Sequence, residues 1–237
     1  MVTPPPGTSV RAIVIDLDDT LYPQKSFLRG AAKAVVVRAQ ELGVDARRFE
    51  STFMSVLERG SDTGNTIDIA LSELGFQQRE IHRLRPQLVT AFLEHRPYDI
   101  ECYPQVLESL AMLARHVPLA CLTDGAPDLQ HAKIKALGVA EFFTVIVVTD
   151  ELGGRAFRKP NTLGLQRIAE VLVVPITSLF IIGDRPDKDI ALALDAHVNV
   201  IRVQQGEYRD VPSPPGVTTV GDFPSAARIV LDIMAEN

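Results

Sequence analysis

Cysteine is scarce in this chain, and basic runs, low-complexity tracts and long apolar stretches are absent from it. Two cysteines among 237 residues, Cys102 and Cys121, are too few for a disulfide framework and read as reduced, largely buried thiols. No run of Lys or Arg supplies the basic face that nucleic-acid binding requires, and the net charge is -6. An acidic balance still admits an anionic substrate, provided that the positive charge is local. The longest apolar stretch, "FFTVIVV", falls far short of a membrane span. The opening "MVTPPPGTSV" is proline-rich without an apolar core, so it does not read as a signal peptide. The expectation is a soluble, cytoplasmic protein with neither nucleic-acid nor membrane partners, as a monomer or homodimer.

What is present is an ordinary globular composition, 46% hydrophobic and 23% charged, in a chain long enough for one large domain plus a smaller module. Residues 1–9 read as a loose arm. "VRAIVID" reads as a fully buried strand that stops at acidic residues. Four apolar stripes at helical spacing follow: Phe27 to Leu42, Phe49 to Leu57, Ile67 to Leu74, and Ile81 to Phe92. The first three are ended by Gly43, Gly60 and Gly75. From Tyr103 onward, helical stretches alternate with the apolar runs "VPLACLTD", "FFTVIVVTD", "SLFIIGD" and "VNVIRV", which means βαβ units and a parallel sheet. The expected fold is therefore α/β, a doubly wound, Rossmann-like parallel sheet (10–22 and 97–237), interrupted by an inserted helical module (23–96).

The polar residues fall where such a sheet places its ligands, outside the carboxyl ends of the strands. In "DLDDTL", Asp16 and Asp18 are two apart and face one side of an extended strand end. Carboxylates gathered at one point raise the pKa of at least one or demand a cation, and an all-oxygen set selects a hard one, usually Mg²⁺. Asp184 and Asp189 of "IIGDRPDKDI" form a second acidic cluster at a strand-to-helix junction. Asp187 reads simply as a favourable charge near a helix start. Thr123, Asp124 and Gly125 close another strand, the glycine permitting a tight turn whose amides can meet an anion. Lys159 in "FRKPN" supplies a positive charge before a helix start.

In this order, D-x-D-x-T-L after the first strand, the Thr of "LTDG", the Lys of "RKP" and "GDxxxxD" after a later strand resemble the four motifs of the haloacid dehalogenase-like hydrolase superfamily. The resemblance runs from about Val10 to about Glu207, and the helical insert looks like that family's C1 cap. It implies that Asp16 is a nucleophile forming an aspartyl-phosphate, and that Asp18 is the general acid and base, for which a raised pKa is expected. It implies too that Thr123 and Lys159 bind the phosphoryl group, with Asp124 and Gly125 beside it. Mg²⁺ would be bound by Asp16, Asp18 through its main-chain carbonyl, Asp184 and Asp189. Dehalogenating relatives lack an acid at the position of Asp18, because halide leaves without a proton, so the resemblance favours phosphate-ester hydrolysis under a cap that admits small substrates. Tyr22, Arg29 and Arg59 are candidate substrate contacts, Tyr22 foremost. The chain departs from many such phosphatases at Asp124, where they carry Asn.

Phosphoglucomutase relatives share the motifs and cap type. A P-type ATPase would need membrane helices. A phospho-accepting receiver domain also clusters aspartates with Mg²⁺, Thr and Lys, but it resembles about half this length, places its acceptor on a later strand and has no use for the insert. A silent binding protein of the same fold would ordinarily have lost Asp16, Asp18 or Lys159.

Overall fold

The computed structural model describes residues 10–60 and 64–236, so the expected arm at 1–9 lies outside the described residues. The chain divides into two units, one running to Gln24 and resuming at Ile100, the other Lys25–Asp99.

The first unit is built on six parallel strands: β1 (Ala12–Ile15), β2 (Leu119–Thr123), β3 (Val145–Val148), β4 (Leu179–Gly183), β5 (Asn199–Val203) and β6 (Thr218–Val220), in the order β3-β2-β1-β4-β5-β6. β1, β2 and β4 are buried along their whole length, which is why they read as unbroken apolar runs without alternation. Helices α5 (Val106–Ala114), α6 (Pro127–Ala136), α7 (Leu163–Leu172), α8 (Ala191–Asp195) and α9 (Phe223–Ala235) connect and cover the strands. Val14, Ala120, Leu122 and Ile181 of the sheet pack with Leu165 and Ile168 of α7 and Leu192 of α8. Asp222 caps α9, its carboxylate accepting from the Ser225 amide at 2.8 Å. Both cysteines are free thiols.

The strand order places the site. The chain winds outward from β1 to β3 on one side, then crosses back to start β4 on the other. The order reverses between β1 and β4, and a crevice opens there beyond their carboxyl ends. Ile15, the last residue of β1, pairs with Ile182 on one side and Cys121 on the other, so β1 ends beside the last residues of β4 and β2. Asp16 and Asp184 follow β1 and β4 directly, and Thr123 is the last residue of β2.

One connection differs from expectation. A helix is expected over Lys188 to Asp195, but the chain first makes a wide π-type turn, Pro186–Ile190, and only then enters α8. The Asp189 carboxylate accepts from the Arg185 amide at 3.1 Å, which folds this turn back on the end of β4.

The second unit consists of α1 (Gln24–Glu41, its first residue belonging to the first unit), α2 (Ala46–Glu58), α3 (Thr66–Glu73) and α4 (Gln78–Glu94). Their apolar stripes form one core around Val35, Phe49, Phe53, Leu71, Leu84 and Leu88. Phe49 and Phe53 stack with ring centroids 5.4 Å apart. No helix among the described residues is long and apolar enough to cross a membrane.

The fully buried Phe53 ring is a direct test of this second core. Phe53→Ala is expected to cost about 3–5 kcal/mol of unfolding free energy, read as a lower urea midpoint, because it removes a large side chain and leaves a cavity.

Candidate active site

Lys159 lies at the centre of the crevice and is nearly sealed from solvent. Its ammonium donates to Asp16 Oδ1, to Asp189 Oδ1 at 2.7 Å and to the Leu122 carbonyl at 3.2 Å. A buried lysine unpaired would lose its proton. Here burial is outweighed by Asp16, Asp189 and Asp124, and the Lys159 pKa lies well above its ordinary value. The Thr20 hydroxyl donates to the other Asp16 oxygen at 3.2 Å.

Asp16, Asp184 and Asp189 each offer a carboxylate oxygen within 4.8 Å of the other two, and all three are buried. Burial pushes the Asp16 carboxyl up to about 7 against the pull of Lys159, with Asp189 and Asp18 adding to the rise. Asp184 is raised well above the carboxylate range by burial and then by Asp16 and Asp189. Asp184 Oδ1 is buried without a hydrogen-bond partner. Ionised, the three carboxylates and one ammonium leave a net charge of about -2, and one of the carboxylates has an orphaned hard donor. The residues present therefore fit a hard divalent cation.

Asp18 lies two residues from Asp16 in a different environment, and its expected raised pKa is corrected here. Its carboxylate accepts from Lys133 Nζ at 2.7 Å, from Gln130 Nε2 at 2.9 Å and from the Tyr22 hydroxyl. Burial pushes its pKa up, but Lys133 and these hydrogen bonds outweigh it, and the net shift is downward. Tyr22, expected to meet substrate, is instead fully buried with its phenol given to Asp18. Arg29 and Arg59 are exposed side chains of the helical unit, and Arg59 pairs with Glu73 at 2.7 Å.

Thr123 is buried at the end of β2 and its hydroxyl oxygen accepts from Gln130 Nε2, which leaves the hydroxyl hydrogen as the group it donates. Gly125 has φ +142°, and a Cβ there would press on the Gln130 side chain at 3.2 Å. The turn thus keeps room for the amide that bridges Thr123 and Asp18.

The departure at Asp124 has a physical account. One oxygen accepts from the Thr149 hydroxyl at 2.9 Å and the Lys159 amide at 3.0 Å, and Lys188 Nζ lies 3.2 Å from the other. Asp124 braces the lysine segment from behind, and Lys188 offsets the charge that an Asn would not carry.

Several residues escaped sequence reasoning. Gln130 and Lys133 occupy buried positions of a helix whose other buried residues include Leu129 and Ile134, so polar residues within an apolar stripe were the available signal. Arg202 is a fully buried arginine within β5. Its guanidinium donates to the Asp184 carbonyl at 2.9 Å, Tyr208 carbonyl at 2.6 Å, Val211 carbonyl at 2.7 Å and Ser213 hydroxyl at 2.8 Å. Asp19 has φ +57°. Its carboxylate accepts from the Gln24 amide and the Glu207 amide, both at 2.9 Å. Gly206, φ +69°, lies flat against it, and a Cβ there would be 2.1 Å from Asp19 Cγ. The loop after β5 thereby clamps the turn that carries Asp16 and Asp18.

A sequence model described as haloacid dehalogenase-like hydrolase matches residues 10–197. A glyceraldehyde 3-phosphate phosphatase from Methanopyrus kandleri is 28% identical, with 96% of this chain and 98% of that protein covered. A phosphoglycolate phosphatase from Neisseria meningitidis is 27% identical, with 77% of this chain and 75% of that protein covered. Among solved structures, a 2-haloacid dehalogenase from Pseudomonas syringae superposes with a TM-score of 0.64 at 22% identity, over 94% of this chain and 99% of that one, a likeness of fold alone.

Asp124 gives a pH test. Lys159 and Lys188 outweigh burial and hold its carboxyl below the ordinary range. Its contribution to stability is therefore complete above the unfolded value of about 3.9 and is lost as pH falls through the lower folded value. Asp124→Asn is expected to lower the unfolding free energy by about 1 kcal/mol at neutral pH, the upper end for a partly screened pair. Urea melts of the two proteins should converge at the acid end.

Proposed function

The chain belongs to the haloacid dehalogenase-like hydrolases, and on that premise we propose that it is a Mg²⁺-dependent phosphatase that hydrolyses a small phosphorylated metabolite through an aspartyl-phosphate at Asp16. The observation that carries this reading is the buried Asp16–Lys159–Asp189 arrangement beside the unpartnered oxygen of Asp184. A carboxyl at Asp18, within reach of Asp16 in charge terms, favours a leaving group that needs a proton over a halide. The relatives named as phosphatases of glyceraldehyde 3-phosphate and of phosphoglycolate support a small phosphate monoester as substrate.

Asp16 attacks phosphorus with a carboxylate oxygen, and the bond from phosphorus to the leaving oxygen breaks. Asp18, in its acid form, gives that oxygen its proton. As a carboxylate, Asp18 then takes a proton from water, whose oxygen attacks phosphorus, and the Asp16–phosphorus bond breaks to release inorganic phosphate. The donors around Asp18 favour the carboxylate that this second half uses. The proton that Asp18 takes from water returns it to the acid form for the next first half. Thr123 donates to a phosphoryl oxygen. Lys159 holds Asp16 in place and offsets negative charge on the transferring group.

Asp16, Asp184 and the main-chain carbonyl of Asp18 would hold Mg²⁺, with Asp189 next to them. When bound, the ion supplies positive charge against which the phosphoryl oxygens are stabilised.

The test is phosphate release from a panel of phosphate monoesters with and without Mg²⁺. Turnover is expected with the ion, to be lost on chelation and restored by Mg²⁺. Asp16→Asn should lower kcat by at least about 10³-fold, as loss of a covalent nucleophile would, and Asp18→Asn by about 10²–10⁴-fold. A folded wild-type protein that releases no phosphate from any monoester with Mg²⁺, or an Asp16→Asn variant with undiminished turnover, would overturn the reading.

A further inference from the structure

Helix α6 carries two lysines two residues apart, with opposite fates. Lys135 is exposed, as a solvated lysine in the last turn of a helix is expected to be. Lys133 is 4% exposed and on the buried face. Gln130, one turn earlier on that face, is 2% exposed. Packing alone would favour an apolar residue at both places, because a buried ammonium or amide is costly without partners. Their side chains converge on Asp18: Lys133 takes one carboxylate oxygen, and Gln130 takes the other while also reaching the Thr123 hydroxyl. The Tyr22 hydroxyl donates to the same oxygen as Lys133. Gly125 keeps the space that Gln130 occupies. A carboxylate with donors on both oxygens has one orientation, and the part left open is the part not covered by α6.

We infer that Gln130 and Lys133 are positioning residues for the reaction: they fix the carboxyl group of Asp18 where it exchanges a proton with the leaving oxygen, and Gln130 couples that position to the phosphoryl-binding hydroxyl of Thr123. The inference rests on the reading of Asp18 as the acid and base of a phosphatase. In this reading both residues act through the carboxyl group of Asp18 and neither supplies the proton itself. Their effect on the rate passes through where Asp18 is held. It therefore concerns the step in which the leaving oxygen needs a proton, whereas a purely structural role would slow every substrate alike.

The experiment compares two leaving groups. A 4-nitrophenyl phosphate loses its aryl oxide as a stable anion, while an alkyl phosphate must have its alkoxide protonated. The value of kcat/KM reports the steps up to ester cleavage, so it isolates the proton-donating half. Lys133→Met is expected to lower kcat/KM for the best alkyl phosphate by about 10–10²-fold and for 4-nitrophenyl phosphate by less than about threefold, a selective loss of acid assistance. The alkyl-phosphate loss should fall in kcat with KM nearly unchanged, and Lys133→Arg should recover part of it. Gln130→Leu is the second variant, measured in the same way should Lys133→Met fail to fold. Equal losses for the two leaving groups, or no loss in a folded variant, would overturn the inference while the phosphatase reading stands. A wild-type protein that cleaves neither ester with Mg²⁺ overturns both.

Discussion

Three buried carboxylates collected at one point repel one another, and the rest of the structure is arranged around the Lys159 ammonium that lets them stay. Lys159 bridges Asp16 and Asp189 from a segment more than a hundred residues along the chain from the first of them. Its own amide is fixed by Asp124, which is balanced in turn by Lys188. The parallel sheet explains why these groups meet at all. Strands buried on both faces can place polar groups only at their ends, and the reversal of strand order between β1 and β4 opens a space at those ends. Fold and charge are thus one constraint: the topology creates a single location where the acids can gather, and the lysine makes that location tolerable.

Two aspartates two residues apart are driven in opposite directions. Asp16 shares one ammonium with a neighbouring acid, and burial raises it to about 7. Asp18 has a lysine and a phenol as donors and shares an amide with Thr123, and it is lowered. Divergent environments for adjacent carboxyl groups are how a site assigns different tasks to chemically identical side chains. The divergence does not come from the "DLDD" segment. It comes from what the other elements bring to it, Lys159 on one side and α6 on the other.

That division also explains what could be read from the sequence. Buried strands ending in acids, and apolar stripes at helical spacing, are local patterns, so the α/β core, the helical insert and Asp16, Asp184, Asp189 and Lys159 were visible as residues of interest. The pKa of Asp18 was not, because its sign depends on Lys133, 115 positions away. The logic of Asp124 was hidden for the same reason, its partners being Thr149, Lys159 and Lys188. The pairing of Tyr22 with Asp18 was not legible either, because adjacency to a motif says nothing about which way a ring turns. Arg202 and Asp19 act through main-chain atoms of a loop whose path no periodicity encodes.

The clamp formed by that loop grips the backbone at most of its positions. Asp19 takes the amide of Glu207, while Arg202 takes the carbonyls of Tyr208 and Val211. These hydrogen bonds act whatever the side chain is, whereas Gly206 is dictated by lack of room, the Tyr208 ring lies 4.0 Å from the Arg185 guanidinium and the Ser213 hydroxyl accepts from Arg202. Between those three positions the loop is a stretch where sequence can drift, or be randomised in a library, while the turn bearing Asp16 and Asp18 stays in place: an evolvable rim on a site whose floor is not.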